Sequence, residues 1–154
     1  MNLASIVATL QLVPHPEGGY FRETYRQVGE DGLPAATAIY YLLTPDSFSE
    51  MHRLRHDEIF HFYLGGPVEM LQLHADGTNR ILRLGLDFAQ GERPQVLVGA
   101  GVWQGSRLIG GEFALLGTTM TPGFRFEDYE QGKLVDLVKL YPDCADRLKL
   151  LCRV

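Results

Sequence analysis

Short segments rich in β-branched and aromatic residues follow one another through most of the chain, and clusters of Gly, Pro and Asp separate them. The clusters include Asp31-Gly32-Leu33-Pro34, Gly65-Gly66-Pro67 and Thr121-Pro122-Gly123. We predict strands at residues 20–28, 36–43, 48–54, 58–64, 69–74, 79–86, 95–98, 102–108, 112–120 and 124–128. Many short strands with no helix between them are typical of an antiparallel barrel or jelly roll and exclude a parallel α/β sheet. The predicted fold class is therefore all-β.

Helical periodicity occurs only at the two ends of the chain. Near the N-terminus, apolar residues recur at i, i+3, i+4 and i+7 behind Asn2, a good N-cap, and Pro14 ends the pattern. Near the C-terminus, Pro142 divides a first stretch around Leu137 from a second stretch around Leu148. Because no linker, repeat or low-complexity tract interrupts the chain, residues 1–154 are predicted to form a single domain.

Composition restricts the partners and the compartment. The 154 residues carry 14 basic and 19 acidic side chains, a net charge of −5, without a run of Lys or Arg that could follow a phosphate backbone. We therefore expect no nucleic-acid partner. We also expect no membrane partner and a cytoplasmic location, because no apolar stretch approaches the roughly 20 residues of a membrane span and no secretory signal is evident. Cys144 and Cys152 are too far apart on a helix to bridge and are expected to be buried thiols.

One segment, residues 52–65, resembles the first motif of the cupins, which runs His-x-His, three or four residues, Glu, six residues, Gly. His52, Leu54, Glu58 and Gly65 occupy those places. The second cupin motif resembles residues 99–108, where only Gly101 matches strictly. Further sequence similarity to the fifth cupin family lies in residues 14–23, 37–43, 52–63 and 122–128. This resemblance covers nearly the whole chain. This resemblance implies a double-stranded β-helix that forms a homodimer, and it implies no settled reaction.

A full cupin site holds a divalent metal with three imidazoles and one carboxylate. By position, this chain retains His52 and Glu58 but has Leu54 and Gln104 in place of the other two imidazoles. We therefore expect no cofactor, although a divalent metal held by His52, Glu58 and Gln104 stays an alternative, with His56 as a further ligand. Strand alternation directs His61 away from the interior, toward the outside or a subunit interface.

Without a metal, His52 and Glu58 form a polar pair on an apolar floor, and they are the predicted catalytic residues. The floor includes Phe60, Phe62, Val102 and Gln104. Burial raises the pKa of a carboxyl group and a protonated imidazole lowers it, a balance that suits proton transfer near neutral pH. The other reading of this pair is that His52 and Glu58 only satisfy one another within the barrel.

The first long predicted strand offers two alternative faces to the pocket. Arg22 and Arg26 share one face and Glu23 lies on the other, so either a guanidinium pair or a carboxylate can enter. The predicted ligand-binding set is Gln104, Phe60, Phe62, Arg22, Glu23 and Tyr41. His15, between two prolines, is interpreted as a turn residue.

The function hypothesis is binding of a small polar or sugar-like metabolite in the barrel pocket, with metal-independent isomerase or epimerase chemistry. Two alternatives stay open: a metal-dependent enzyme using His52, Glu58 and Gln104, and a non-catalytic binding or scaffold dimer. A barrel filled by its own side chains around Glu58 would favour the last of these.

Overall fold

The computed structural model describes residues 2–153 and consists of two antiparallel sheets that pack face to face. The helices are α1 (Leu3–Thr9), α2 (Leu134–Leu140) and α3 (Ala145–Leu151). The strands are β1 (Val13–Pro14), β2 (Tyr20–Val28), β3 (Pro34–Leu43), β4 (Phe48–Arg53), β5 (Glu58–Gly65), β6 (Val68–Leu73), β7 (Asn79–Leu84), β8 (Gln95–Val98), β9 (Trp103–Leu108), β10 (Ala114–Met120) and β11 (Glu130–Gln131). The expected all-β jelly roll with one N-terminal helix and C-terminal helices is confirmed.

The sheet order places strands that are distant in sequence side by side. One sheet has the order β1-β2-β3-β10-β5-β8 and the other β11-β4-β9-β6-β7. The core between them contains fully buried side chains from both sheets, among them Leu43, Phe60, Met70 and Leu116. Alternate residues of each strand point into this layer, which explains why the strands alternate between apolar and polar positions.

The helices cover the outer faces of the two sheets. Ile6 of α1 packs with Leu42 and Leu115 on the first sheet, and Leu137 and Leu148 pack with Met51 on the second. Asn2 caps α1, because its side chain accepts a hydrogen bond from the Ser5 amide at 2.9 Å. In the described part of the chain no helix has the length and apolar character needed to cross a membrane.

Cys144 and Cys152 are buried free thiols in the cluster under α2 and α3, as expected. Burial raises the pKa of both thiols, that of Cys152 to about 11. Both side chains therefore pack as small apolar groups.

Two β-bulges change which side chains reach the interior. The pairing of β2 with β3 shifts between Glu23 and Tyr25, and the pairing of β5 with β10 shifts beside Leu115 and Leu116. Alternation therefore predicts the facing of Phe60 and Phe62 correctly, but it is wrong for Leu64, which is exposed. A bulge adds one residue to one strand and so reverses the facing of the residues beyond it.

The predicted strand at 124–128 is wrong. A loop leads instead into a single 3-10 turn, Phe126–Asp128, which Arg125 closes through two hydrogen bonds of 3.1 and 3.0 Å to the Asp128 carboxylate. Phe124 donates its amide hydrogen to the Thr37 hydroxyl at 2.9 Å, a side chain rather than a neighbouring strand. The aromatic composition of this segment reflects its position over the end of the sandwich, where Phe124 and Phe126 contact each other.

The turn at residues 14–19 depends on close packing of Gly18 against β4. Gly18 has φ +107°, and a Cβ at this position would collide with the Phe48 carbonyl. Gly77 has φ +86° with open space around it, which makes it a matched control. We expect Gly77→Ala to lose about 1 kcal/mol of unfolding free energy from backbone strain alone. Gly18→Ala should lose at least twice as much in urea titrations followed by Trp103 fluorescence, and equal losses would contradict this packing argument.

Candidate functional site

A cavity of about 70 Å³ lies between the two sheets, at the end closed by the 14–19 turn. Its polar lining includes His15, Glu17, Glu23, His52, Glu58 and Thr118. Aromatic and aliphatic side chains supply the rest, with Phe124 and Phe126 at one side. A concave, largely apolar space with a few convergent polar groups is the usual form of a small-molecule site.

His52, on β4, presents one ring nitrogen to the cavity. Its Nδ1 lies 2.7 Å from the Glu50 carbonyl oxygen, and a carbonyl only accepts hydrogen bonds, so Nδ1 carries the hydrogen. The lone pair of the neutral ring is then on Nε2, which lies 3.4 Å from Glu17 Oε2. The ring also stacks on Tyr129, with 5.3 Å between ring centroids. Burial lowers the pKa of His52, which favours the neutral imidazole.

Glu17 is a cavity residue that the sequence analysis did not identify. It lies in the 14–19 turn with only 8% of its surface exposed, and burial, reinforced by the charge of Glu50, raises the pKa of this carboxyl from 4.5 to about 8. The group therefore retains its proton at neutral pH. The motif Pro16-Glu17-Gly18-Gly19 was visible in the sequence, but a turn motif does not reveal that the turn folds inward.

His15 is a cavity residue and not only a turn residue as interpreted from the sequence. Its Nδ1 accepts the Glu17 amide hydrogen at 3.0 Å, and its ring meets Phe21 and Tyr41 edge to face. Burial, together with the nearby His52, lowers the pKa of His15 to about 4. His15 is therefore neutral at physiological pH.

Glu58, on β5, is buried at the cavity floor and does not pair directly with His52. Its Oε2 accepts a hydrogen bond from Gln104 Nε2 at 2.7 Å. Burial raises the pKa of Glu58, while His52 and the hydrogen bonds from Gln104 and Thr118 oppose that rise. Each member of the predicted pair thus has its own partner, Gln104 for Glu58 and Glu17 for His52.

The structure brings some of the predicted ligand-binding residues to the cavity and excludes others. Tyr41, Phe60 and Glu23 line it, and the Tyr41 hydroxyl donates to the Gly18 carbonyl at 2.7 Å. Phe62 and Gln104 do not line the cavity, although Gln104 lies opposite His52 in the pairing of β4 with β9 and contacts Glu58. Phe62 packs in the core between the sheets, and Gln104, with 2% of its surface exposed, supports Glu58.

Arg22 does not line the cavity, because it lies on the opposite face of β2 and donates to the Leu10 carbonyl at 3.3 Å. After the bulge at residue 24, Arg26 contacts Glu23 instead, with two nitrogen–oxygen distances of 2.8 and 2.9 Å. Arg26 also donates to the Phe124 carbonyl at 3.1 Å. Strand β2 therefore contributes the Glu23 carboxylate to the cavity, and the Arg26 guanidinium pairs with that carboxylate at the rim of the cavity.

The residues expected as metal ligands do not fit a divalent ion as they are arranged. Gln104 directs its amide nitrogen at the Glu58 carboxylate, and apolar Leu54 occupies the place of an imidazole. His56 is near Asp128 instead, 3.8 Å away, and does not line the cavity. Within residues 2–153, no three His, Cys, Asp or Glu side chains are grouped as metal ligands would be.

His61 points outward, as alternation predicts. Its Nε2 lies 2.9 Å from the Thr119 hydroxyl, on the outer face of the first sheet. The Arg53 guanidinium lies over the Trp103 ring, 4.6 Å from its centroid.

The raised pKa of Glu17 makes a prediction for stability against pH. A carboxyl whose pKa is higher in the folded state stabilises the fold fully below about pH 4.5, and this stabilisation is lost as the pH rises through about 8. Glu17→Gln cannot ionise, so its stability relative to the wild type should increase by a few kcal/mol from pH 5 to pH 8.5. Thermal unfolding of both proteins, with Glu23→Gln as control, checks this, and a constant difference across that range would refute a buried, protonated Glu17.

Comparisons with known proteins place the whole chain in one family. The family model Cupin_5, described as Cupin superfamily (DUF985), matches residues 4–132. An uncharacterised protein of Saccharomyces cerevisiae, YML079W, is 32% identical over 172 residues, covering 97% of this chain and 86% of the yeast protein.

Solved structures agree with that assignment. Protein SO0799 from Shewanella oneidensis is 34% identical with a TM-score of 0.93, covering 99% of this chain and 98% of that one. A hypothetical protein from Leishmania major is 30% identical with a TM-score of 0.91 over the full length of both chains. Oxalate decarboxylase from Bacillus subtilis, at 15% identity and a TM-score of 0.59 over 90% of this chain and 36% of that one, shares the fold alone. The chain therefore belongs to the Cupin_5 family of the cupin superfamily.

Proposed function

We propose that the protein binds a small, uncharged hydroxy-carbonyl metabolite in this cavity and moves a proton within it, as a metal-independent isomerase or epimerase. The observation that carries the proposal is the contact between His52 Nε2 and Glu17 Oε2, 3.4 Å apart in a cavity. A neutral imidazole and a protonated carboxyl group side by side are a base and an acid that both operate near neutral pH.

The charges around the cavity support an uncharged ligand. Glu17, Glu23 and Glu58 contribute carboxyl groups, and no Lys or Arg of the described residues lines the space. A carboxylate or phosphate group placed there would lose its hydration without gaining a cation. Hydroxyl and carbonyl groups, in contrast, find both donors and acceptors in His52, Glu58 and Thr118.

The size of the cavity supports a small reacting group. A volume of 70 Å³ holds about five water-sized groups, if each needs about 10–15 Å³. A fragment of three to five non-hydrogen atoms, roughly, therefore fits inside. A neighbouring groove shares Phe21, Glu23, Phe124 and Phe126 with the cavity, so the rest of a sugar-like molecule has space beyond the mouth.

The proposed step breaks the C–H bond next to the substrate carbonyl. His52 Nε2 accepts that proton, the electron pair of the bond forms the C=C bond of an enediol, and the carbonyl oxygen accepts the Glu17 proton. Protonation of the same carbon on its other face by solvent, while the new hydroxyl returns its proton to Glu17 and His52 releases its proton to solvent, gives an epimer. Return of the His52 proton to the former carbonyl carbon, while the adjacent hydroxyl gives its proton to Glu17, gives an isomer. Glu58, held by Gln104, accepts a hydrogen bond from a substrate hydroxyl.

The same geometry weighs against the two alternatives. A metal-dependent site would need a ligand oxygen from Gln104, whereas Gln104 lies beside His52 and Glu58 and directs its amide nitrogen, which carries hydrogens, at Glu58. A scaffold role predicts a barrel filled around Glu58, whereas Glu58 lines an open space.

Proton exchange with solvent tests the reaction class directly. The protein would be incubated in D₂O with dihydroxyacetone, glyceraldehyde, and four- and five-carbon aldoses and ketoses, and deuterium at the α-carbon followed by NMR. We expect exchange with at least one compound, lowered by a factor of about 100 or more in His52→Gln and in Glu17→Gln because general acid–base catalysis contributes that much.

The control variant is His61→Gln, which removes an imidazole on the outer face and should leave exchange unchanged. EDTA should have no effect, and loss of exchange on chelation would favour the metal-dependent alternative. Absence of exchange with every compound would reject the proposed reaction.

The homodimer implied by the family resemblance stays a prediction of this proposal. Light scattering on purified protein should then give a mass of about twice the 17.3 kDa of the chain. A mass of one chain at micromolar concentration would contradict it.

A further inference from the structure

Glu50 lies directly behind the cavity and holds both members of the proposed proton-transfer pair through its main chain. Its amide donates to the Glu17 carbonyl at 3.0 Å, and its own carbonyl accepts from His52 Nδ1 at 2.7 Å. Glu50 is not part of the cavity lining and is only 5% exposed. It therefore touches the pair without being able to touch a ligand.

The Glu50 side chain is held from the other end of the chain. Tyr129 donates its hydroxyl hydrogen to Oε1 at 3.3 Å, and Gln131 donates to Oε2 at 3.1 Å. Arg153 Nε lies 3.5 Å from the same Oε2, with half of its own side chain exposed. Two hydrogen bonds and one cation thus satisfy a carboxylate that burial would otherwise disfavour.

We infer that Glu50 and Arg153 form a positioning pair that decides how firmly Glu17 holds its proton. This inference rests on the proposed role of Glu17 and His52. Glu50 is hydrogen-bonded through its amide to the Glu17 carbonyl, and a negative charge on the Glu50 side chain discourages a second negative charge on Glu17. The Arg153 guanidinium pairs with Glu50 and lies beside the 14–19 turn, since a Cβ on Gly18 would be 3.4 Å from its Nη2, and its positive charge opposes that effect.

Glu50 and Arg153 act in opposite directions on the pKa values of the groups near them. Glu50 is the second cause, after burial, of the raised pKa values of Glu17 and of Cys152. Arg153 lowers the pKa of Tyr129, which burial, Glu17 and Glu50 together raise. The other titratable groups that face Glu17 or Glu50 are His15, Tyr41, His52 and Glu58.

Removing the charge of Glu50 and removing the charge of Arg153 should shift the pKa of Glu17 in opposite directions. In Glu50→Gln, the pKa of Glu17 should fall from about 8, because the neighbouring negative charge is gone. In Arg153→Gln, the pKa of Glu17 should rise, because the Glu50 charge is less compensated. Each shift should be about half a unit to one unit, as expected for charges near a protein surface.

The measurement is a ¹³C NMR titration of the Glu17 side-chain carboxyl in the protein without ligand. Arg147→Gln is the matched control, since that guanidinium pairs with Glu69, 3.5 Å away, outside the site. It should leave the Glu17 titration unchanged. Shifts in the same direction for Glu50→Gln and Arg153→Gln, or no shift in Arg153→Gln, would overturn the inference.

Folding is checked by amide spectra of each variant. If Glu50→Gln fails to fold, the direction of the shift in Arg153→Gln decides alone, because that side chain is half exposed and its removal leaves the buried network in place. The titration does not depend on any substrate. If no compound exchanges deuterium but the Glu17 pKa shifts in opposite directions in the two variants, the proposed function is rejected and the inference about Glu50 and Arg153 stands. If deuterium exchange occurs but the opposite pKa shifts do not, the inference is rejected and the proposed function stands.

Discussion

Two main-chain hydrogen bonds of Glu50 hold the candidate site together. One attaches the 14–19 turn to β4, and the other orients the His52 ring within β4. The first bond, together with the one from the Tyr41 hydroxyl to the Gly18 carbonyl, fixes Glu17 and His15 over the end of the sandwich. Without the second, His52 would not present Nε2 to the cavity. Gly18 makes this attachment possible, because its missing side chain allows the turn to approach the Phe48 carbonyl.

The cavity is buried and has no Lys or Arg among the described residues that line it, and this determines the pKa values of its acids and bases. Its carboxyl groups and imidazoles lie in low-dielectric surroundings, which raises the pKa of Glu17 and Glu58 and lowers the pKa of His15 and His52. His15 and His52 are therefore neutral bases and Glu17 a protonated acid at physiological pH. Members of one fold carry many different chemistries, so the distant resemblance to oxalate decarboxylase informs the architecture and not the reaction.

The fold was largely readable from the sequence, and the errors have local causes. Turn residues marked most strand ends, and alternation correctly placed Glu58, Phe60 and Phe62 on one face. The segment 124–128 was misread because aromatic residues favour strands in general, while here they cover the end of the sandwich. The face of β2 could not be chosen, since an unpredictable bulge at residue 24 brings Arg26 to Glu23.

The sequence by itself determined the jelly roll and the terminal helices, because these depend on periodicity and on turn residues near one another in the chain. The resemblance of residues 52–65 to the first cupin motif implied that His52 and Glu58 lie in its interior. Only the tertiary structure decided which groups meet. Glu17 reaches His52 across 35 positions of sequence because a turn folds over the sandwich, and Gln104 reaches Glu58 across 46 positions because the pairing of β9 with β4 places Gln104 opposite His52. Such contacts follow from long-range packing, which no local pattern of residues records.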